Sequence, residues 1–263
     1  MKIRYCLWAL VFFFFTNKAI SQANMIWGIG PNLIYKSSIK NLDATIMSEP
    51  FFLNYSLKKK QVSCFGVNGF MNFMLTDWGL SLNVELGYAQ QGSQLDFRDS
   101  AKDFNYKMGF KYKYINLAPS IRWYPFSSSN GDDGNPNNKE FFKGAYLFGG
   151  VQLGTQLDPE AITYESWGAG ALPAFGPDLE QENQLRTVLK GKMNLGVIAG
   201  IGYEFYYPIP FSINIRHHWG LSDVVETLPN SYNFIPNKNR NYFSQVGISF
   251  FLGRGNRADD PRQ

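Results

Sequence analysis

The sequence predicts an all-β fold: an eight-stranded antiparallel transmembrane β-barrel of the outer-membrane type, behind a cleaved signal peptide. Three observations carry that expectation. Apolar and polar residues alternate with period two over a dozen positions or more, as in strands whose two faces meet different media. The connections between these stretches are short and long in turn. The N-terminus has the layout of an export signal, and nothing after it stays apolar for the roughly 20 residues a membrane helix needs. Composition fits this class: of 263 residues 17% are charged and 17% aromatic, against roughly 25% charged in an ordinary soluble domain.

The leader comes first. Lys2 and Arg4 precede an unbroken apolar run from Tyr5 to Phe15. Thr16-Asn17-Lys18 is polar, and Ala19-Ile20-Ser21 is a small-x-small cleavage pattern. This is the tripartite plan of a secretory signal peptide. Residues 1–21 are therefore expected to be removed, 22–253 to form the barrel, and 254–263 to make a short polar periplasmic tail. Removal takes away Cys6, so Cys64 stands alone and no intrachain disulfide holds the exported fold. Lys2, Arg4 and Lys18 go too, leaving 22 bases against 21 acids. A chain that near neutrality has no electrostatic reason to bind nucleic acid.

Strands are expected at about 25–36, 62–75, 78–92, 109–124, 144–157, 191–207, 210–221 and 241–252. The third is the clearest. Trp78, Leu80, Leu82, Val84, Leu86 and Tyr88 fall on one face, and Gly79, Ser81, Asn83, Glu85 and Gly87 on the other. The sixth sets Val197, Ala199, Ile201 and Tyr203 opposite Gly196, Gly200, Gly202 and Glu204. The seventh sets Ile213, Ile215, His217 and Trp219 opposite Ser212, Asn214, Arg216 and His218. Helical winding would scatter these apolar residues around the whole circumference. The fourth strand changes parity near Tyr114-Ile115, which predicts a β-bulge.

Thr76-Asp77 and Pro208-Ile209-Pro210 are tight turns, whereas 37–61, 93–108, 158–190 and 222–240 are long, polar or irregular connections. Even strand number, short turns at one end and long loops at the other describe an outer-membrane barrel with periplasmic turns. Phe126 to Lys143 departs from that plan: it should be short, yet it contains the turn-forming run SSSNGDDGNPNN.

Alternation alone does not say which face is inside, because a soluble lipocalin-like barrel turns its apolar face inward. Three features favour the membrane. The polar face is glycine-rich with isolated charges, Glu85, Arg122, Glu204 and Arg216, which suits a narrow polar lumen. The strands are long enough to cross a bilayer when tilted. Aromatics gather near strand ends, among them Trp27, Trp78, Trp123, Tyr124, Tyr203 and Trp219, as interfacial girdles require.

The candidate site is therefore the lumen. Eight strands enclose an interior just wide enough for side chains to fill, which argues on size against a wide passive channel. Glu85, Arg122, Glu204 and Arg216 are expected to form a charge network that closes it, with Glu204 and Arg216 in a diagonal cross-strand pairing and Glu85 beside Arg122 from a neighbouring strand. The alternative is four charges solvated separately at the lumen ends.

No catalytic, cofactor-binding or metal-binding residue is assigned. His217 and His218 are adjacent on one strand and point to opposite faces, and no triad geometry joins them to Ser222 and Asp223. The glycines of 196–202 precede no helix pattern, so they are not a dinucleotide fingerprint. No Cys/His cluster has zinc-ligand spacing. A small lipid-modifying enzyme and a narrow channel or small-ligand barrel remain as alternatives. Loop 158–190, acidic with Trp167 and Phe175, is expected to be a solvated surface loop or a segment that docks a partner. Lys58-Lys59-Lys60 is a solvated turn or a contact for lipopolysaccharide phosphates.

Several segments resemble the PorT-like family of outer-membrane β-barrel proteins. Tyr114 to Tyr124, YINLAPSIRWY, resembles that family's fourth strand, and Ala145 to Gly150 its fifth. Gly200 to Phe205, with Asn214-Ile215-Arg216 leading to Gly220 through Asp223, resembles the penultimate hairpin, and Asn241 to Gly253 the closing strand. These are fold motifs, and they cover about Trp27 to Gly253. The resemblance implies a cofactor-free barrel in the outer membrane of a Gram-negative cell, with the lipid bilayer as its first partner. The family's namesake is associated with type IX secretion and gliding machinery. By resemblance, this chain is expected to be a structural or accessory component that meets envelope or secretion proteins through its outer loops.

Overall fold

The computed structural model describes residues 25–254 apart from 51–52, 54, 77–78, 100–103, 127–143, 159–161, 169–178, 207–208 and 228–233. The expected leader, Trp78, nearly all of the 126–143 connection and the tail beyond Arg254 lie outside the described residues. The elements in chain order are β1 (Met25–Lys40), α1 (Leu42–Met47), β2 (Ser56–Lys60), β3 (Val62–Met74), β4 (Leu80–Asp99), β5 (Phe104–Trp123) and β6 (Ala145–Gln156). They continue as β7 (Ile162–Gly168), α2 (Leu179–Val188), β8 (Leu189–Gly191), β9 (Asn194–Phe205), β10 (Phe211–Gly220), β11 (Val225–Thr227) and β12 (Arg240–Arg254).

Eight of these strands close a ring in the order β1-β3-β4-β5-β6-β9-β10-β12, every neighbour antiparallel. The seam pairs β1 with β12 from Ile26↔Arg254 to Lys40↔Arg240, so the ring has no free edge to recruit another chain. Gly30 lies at this seam, where a Cβ would land on the Ile248 carbonyl oxygen. Only glycine lets the two backbones approach so closely there.

The ring is built inside out relative to a soluble barrel. Ile29, Leu33, Phe65, Leu86, Ile121, Val151, Ile201 and Ile215 are exposed on its outer face. Asn68, Asn83, Glu85, Arg122, Gln152, Arg216 and Gln245 are buried inside. Outward side chains on β5 are apolar from Trp123 through Ile115, eight residue steps and about 27 Å along the strand at 3.4 Å each. With a tilt near 40° this gives a band of about 21 Å, close to the ~25 Å apolar height of an outer-membrane barrel.

No bulge occurs at Tyr114-Ile115. β4 and β5 pair without interruption from Leu80↔Trp123 to Asp99↔Phe104, and every even-numbered residue of β5 from Tyr106 to Arg122 is buried. What changes at this point is the medium. Below it the inward residues are polar, with Asn116, Ser120 and Arg122. Above it they are apolar, with Tyr114, Tyr112, Phe110 and Met108, while the outward ones become lysines. The sides exchange polarity because the lower part of the hairpin sits in lipid and the upper part in water. The register irregularities of the ring instead include one in β1 between Ile34 and Ser37, where the buried positions pass from even to odd numbers.

The same inversion corrects two expectations about the long connections. Residues 93–108 are mostly strand, because Leu95 and Phe97 alternate with Gln94, Asp96 and Arg98 in the soluble sense. Lys58-Lys59-Lys60 is strand as well, in β2 against β4. Above the ring, β2 and β7 flank the extended β4–β5 hairpin. Its inward face is covered by a core containing Leu42 and Ile46 of α1, Leu185 and Val188 of α2, and Leu189, Val224, Val225 and Phe234. The loops thus fold into a cap over the loop-side mouth, with a dry core like that of a soluble domain.

Candidate functional site

Each luminal charge is aimed inward by strand parity: Glu85 from β4, Arg122 from β5, Glu204 from β9 and Arg216 from β10. They form one chain of alternating sign. Arg122 Nη1 lies 3.3 Å from Glu204 Oε1, Arg122 Nη2 lies 3.8 Å from Glu85 Oε1, and Arg216 Nη1 donates to Glu85 Oε2 at 2.6 Å. The order across the lumen is Glu204–Arg122–Glu85–Arg216. Glu204 and Arg216 are not paired with each other. Glu204 lies opposite Ser212 and Arg216 opposite Gly200, four residues apart in register, about 13 Å along the strand.

Neutral side chains add further hydrogen bonds to the four charges. Asn68 and Asn83 each donate to Glu85 at 3.0 Å, and Arg216 donates to Gln245 at 3.1 Å. Tyr124 donates to Glu204 at 2.7 Å and receives a bond from Asn72 at 3.1 Å. Tyr206 also donates to Glu204 and Asn32 to Asn68. The Arg122 guanidinium stacks over the Tyr146 ring, 4.8 Å from its centroid, a favourable cation–π placement. Four buried charges of balanced sign are tolerable only with such partners, because each ion costs several kcal/mol to desolvate (about that scale in proteins). Tyr124 therefore belongs to the lumen, at 4% exposure, and not to an aromatic girdle. Its even number shares the inward parity of Arg122, the signal that would have found it.

Above the charges lies an amide layer, in which Gln91 Oε1 accepts from Asn194 at 2.9 Å and Asn241 at 2.6 Å. His218 is fully buried in the lumen and stacks on Phe243, ring centroids 4.5 Å apart. His217 points outward, bonded to Ser244 at 2.9 Å and edge-on to Trp219. Ser222 accepts from the Leu195 amide and donates to the Met193 carbonyl. Asp223 accepts from the Val225 and Asn239 amides at 3.3 and 3.1 Å. Each of these groups therefore serves a separate structural contact. Among the described residues no cluster of His, Cys, Asp and Glu has the makings of a metal site.

The cap closes the loop-side end. Tyr112 donates to the Leu189 carbonyl at 3.0 Å, and Thr45 of α1 donates to Asn239 at 3.0 Å. Burial alone would raise the Asp43 carboxyl, but the Lys59 ammonium 2.7 Å away outweighs it and holds the group below its ordinary value. Burial prevails at Asp223, whose carboxyl is raised despite its backbone donors. In loop 158–190, α2 packs Leu185 and Val188 into the cap, and Arg186 donates to the Ile162 carbonyl at 3.1 Å. Its C-terminal third is thus part of a folded core; Phe175 lies outside the described residues. On the outer face Trp27 and Trp123 are exposed and Tyr203 half-buried at the turn end, and Trp219 is exposed at the loop end.

A family model described as outer membrane protein beta-barrel domain matches residues 54–226, more than half of the chain. A search of curated proteins found no match. Among solved structures, the chain is similar to the outer membrane protein OprG from Pseudomonas aeruginosa. That match has 12% identity over 87% of this chain and 93% of that one, with a TM-score of 0.39. It is also similar to Ail of Yersinia pestis, in a crystal structure with the heparin analogue sucrose octasulfate. There the identity is 10% over 88% of this chain and 99% of that one, with a TM-score of 0.33.

Proposed function

Because this chain belongs to the outer membrane protein β-barrel domain family, we propose that it is a non-enzymatic, closed barrel serving as an accessory component of the cell envelope. Its place is the outer membrane, and its resemblance to the PorT-like family points to a protein-secretion assembly of the type IX kind. The observation that carries this reading is closure from two sides: the Glu204–Arg122–Glu85–Arg216 chain crosses the lumen, and the apolar cap sits over its loop-side mouth. A barrel so filled offers partners its surface and not its interior. In this reading Trp27, Trp123, Tyr203 and Trp219 sit at the two lipid–water interfaces and hold its depth.

The test is mild-detergent extraction of the tagged protein from isolated outer membranes, followed by native mass analysis. A stoichiometric envelope protein retained with the barrel is the expected result. Recovery as a lone monomer, with no partner at any detergent strength, overturns the accessory reading.

A further inference from the structure

We propose that the loop-side rim above β1, β3 and β5 binds the phosphate groups of an anionic lipid in the outer leaflet. The outward face of β5 runs Trp123, Ile121, Pro119, Leu117, Ile115, then Lys113, Lys111 and Lys107. The change from apolar to basic takes a single step. Lys113 and Lys111 stand about 7 and 14 Å along the strand beyond Ile115, or about 5 and 10 Å in height at a 40° tilt. The polar headgroup layer of one leaflet is about 5–8 Å deep, so Lys113 stands within it and Lys111 just above it, where a long flexible lysine side chain can reach back down. On β1 the same step is taken from Tyr35 to Lys36.

The positions between Lys36 and Lys111 are small, which leaves a trough between the longer lysine side chains: Ser63, which donates to the Tyr35 carbonyl at 3.5 Å, is exposed, and Gly92, paired with Lys111, is buried beneath. Lys58 and Lys60 of β2 border this trough from above. Its acids are few: Asp96 holds Lys60, Asp158 holds Lys113 at 3.2 Å, and Glu165 holds Lys107 at 2.6 Å. Among the described residues, no ion pair engages Lys36, Lys58 or Lys111.

The cluster is one-sided. On the opposite wall β6, β9 and β10 end in the exposed apolar residues Leu157, Met193 and Leu221, and nearby Lys192 is paired with Glu226. Lysines that merely anchored the barrel in the interface would ring it. Unneutralised ammonium groups around a shallow trough at headgroup depth suit a phosphorylated headgroup instead.

The test uses the barrel folded in detergent micelles, titrated with diphosphorylated lipid A and read by native mass spectrometry. Each unpaired lysine near a charged membrane surface contributes about fivefold in affinity, so Lys36→Gln/Lys111→Gln/Lys113→Gln should weaken binding by roughly 25-fold, Lys113 being already neutralised by Asp158. Lys190→Gln/Lys192→Gln on the far wall should change it less than about twofold, and arginine at the three trough positions should restore it. Heat-modifiable gel mobility reports folding; if the triple variant does not fold, Lys111→Gln alone carries the test with its fivefold loss. Three results overturn the proposal: equal affinity in the trough variant, equal binding of the dephosphorylated lipid, or displacement of the lipid by inorganic phosphate alone, which would mark a free-anion site.

Discussion

Replacing Glu85 by alanine removes the carboxylate that joins both arginines of the lumen. Arg216 then keeps Gln245 at 3.1 Å, and Arg122 keeps Glu204 at 3.3 Å. The Asn68 amide loses its acceptor, that of Asn83 keeps only Ser120 at 3.4 Å, and the lumen holds one uncompensated positive charge. Breaking a buried ion pair from one side costs about 3–5 kcal/mol. The orphaned Asn68 amide adds to this only where water does not reach it, at about 1–3 kcal/mol, so about 3 kcal/mol is the expected minimum. Urea unfolding of the barrel folded into phospholipid vesicles, followed by tryptophan fluorescence, measures the change. A double-mutant cycle with Arg216→Ala should give a coupling of about 2 kcal/mol, since the two groups are in direct contact. A loss under about 0.5 kcal/mol for Glu85→Ala, together with additive behaviour, would mean independently solvated charges and would refute the closed network.

Three further outcomes are expected. Leu185→Ala should leave a cavity in the cap core worth about 2–4 kcal/mol, read as faster hydrogen exchange in α2 and β8 with unchanged exchange in the ring strands; uniform acceleration would contradict a separately packed cap. Two aspartates give opposite pH signatures. Asp43, depressed by Lys59, contributes stability above its ordinary value of 3.8 and loses it as pH falls through its lower folded value, so Asp43→Asn should loosen α1 at neutral pH, an effect that fades as pH is lowered below 3.8. Asp223 is raised, so its contribution favours folding at low pH and is lost as pH rises through the raised value; Asp223→Asn should slow amide exchange of Val225 and Asn239 at neutral pH. Gly30→Val should block closure of the β1–β12 seam, leaving a barrel that migrates as unfolded chain in the gel assay.

The ring was legible in the sequence because its alternation is strict. The third expected strand, 78–92, begins within two residues of β4, and the last, 241–252, within one of β12. Inward parity also put the four charged residues on one face. What period-two reasoning missed came from a change of solvent along a continuous strand. Above Tyr88 and Ile115 the apolar residues move to the inside because the outside becomes water, so residues 93–108 lost their membrane pattern and looked like loop. The apparent bulge at Tyr114-Ile115 has the same origin. The partners of Glu204 escaped notice because cross-lumen contacts depend on strand stagger, which one strand's spacing does not contain. The cap was hidden for a related reason: α1 has six residues, too short for a 3.6-residue period to stand out.

Planar-bilayer recording of the purified, refolded protein tests the closed lumen most directly. With the charge chain intact and the cap in place, no steady conductance above the lipid background is expected. Sustained, protein-dependent conductance steps from the wild-type chain would contradict the account, because ions would then be crossing a lumen held to be filled by Glu204, Arg122, Glu85 and Arg216.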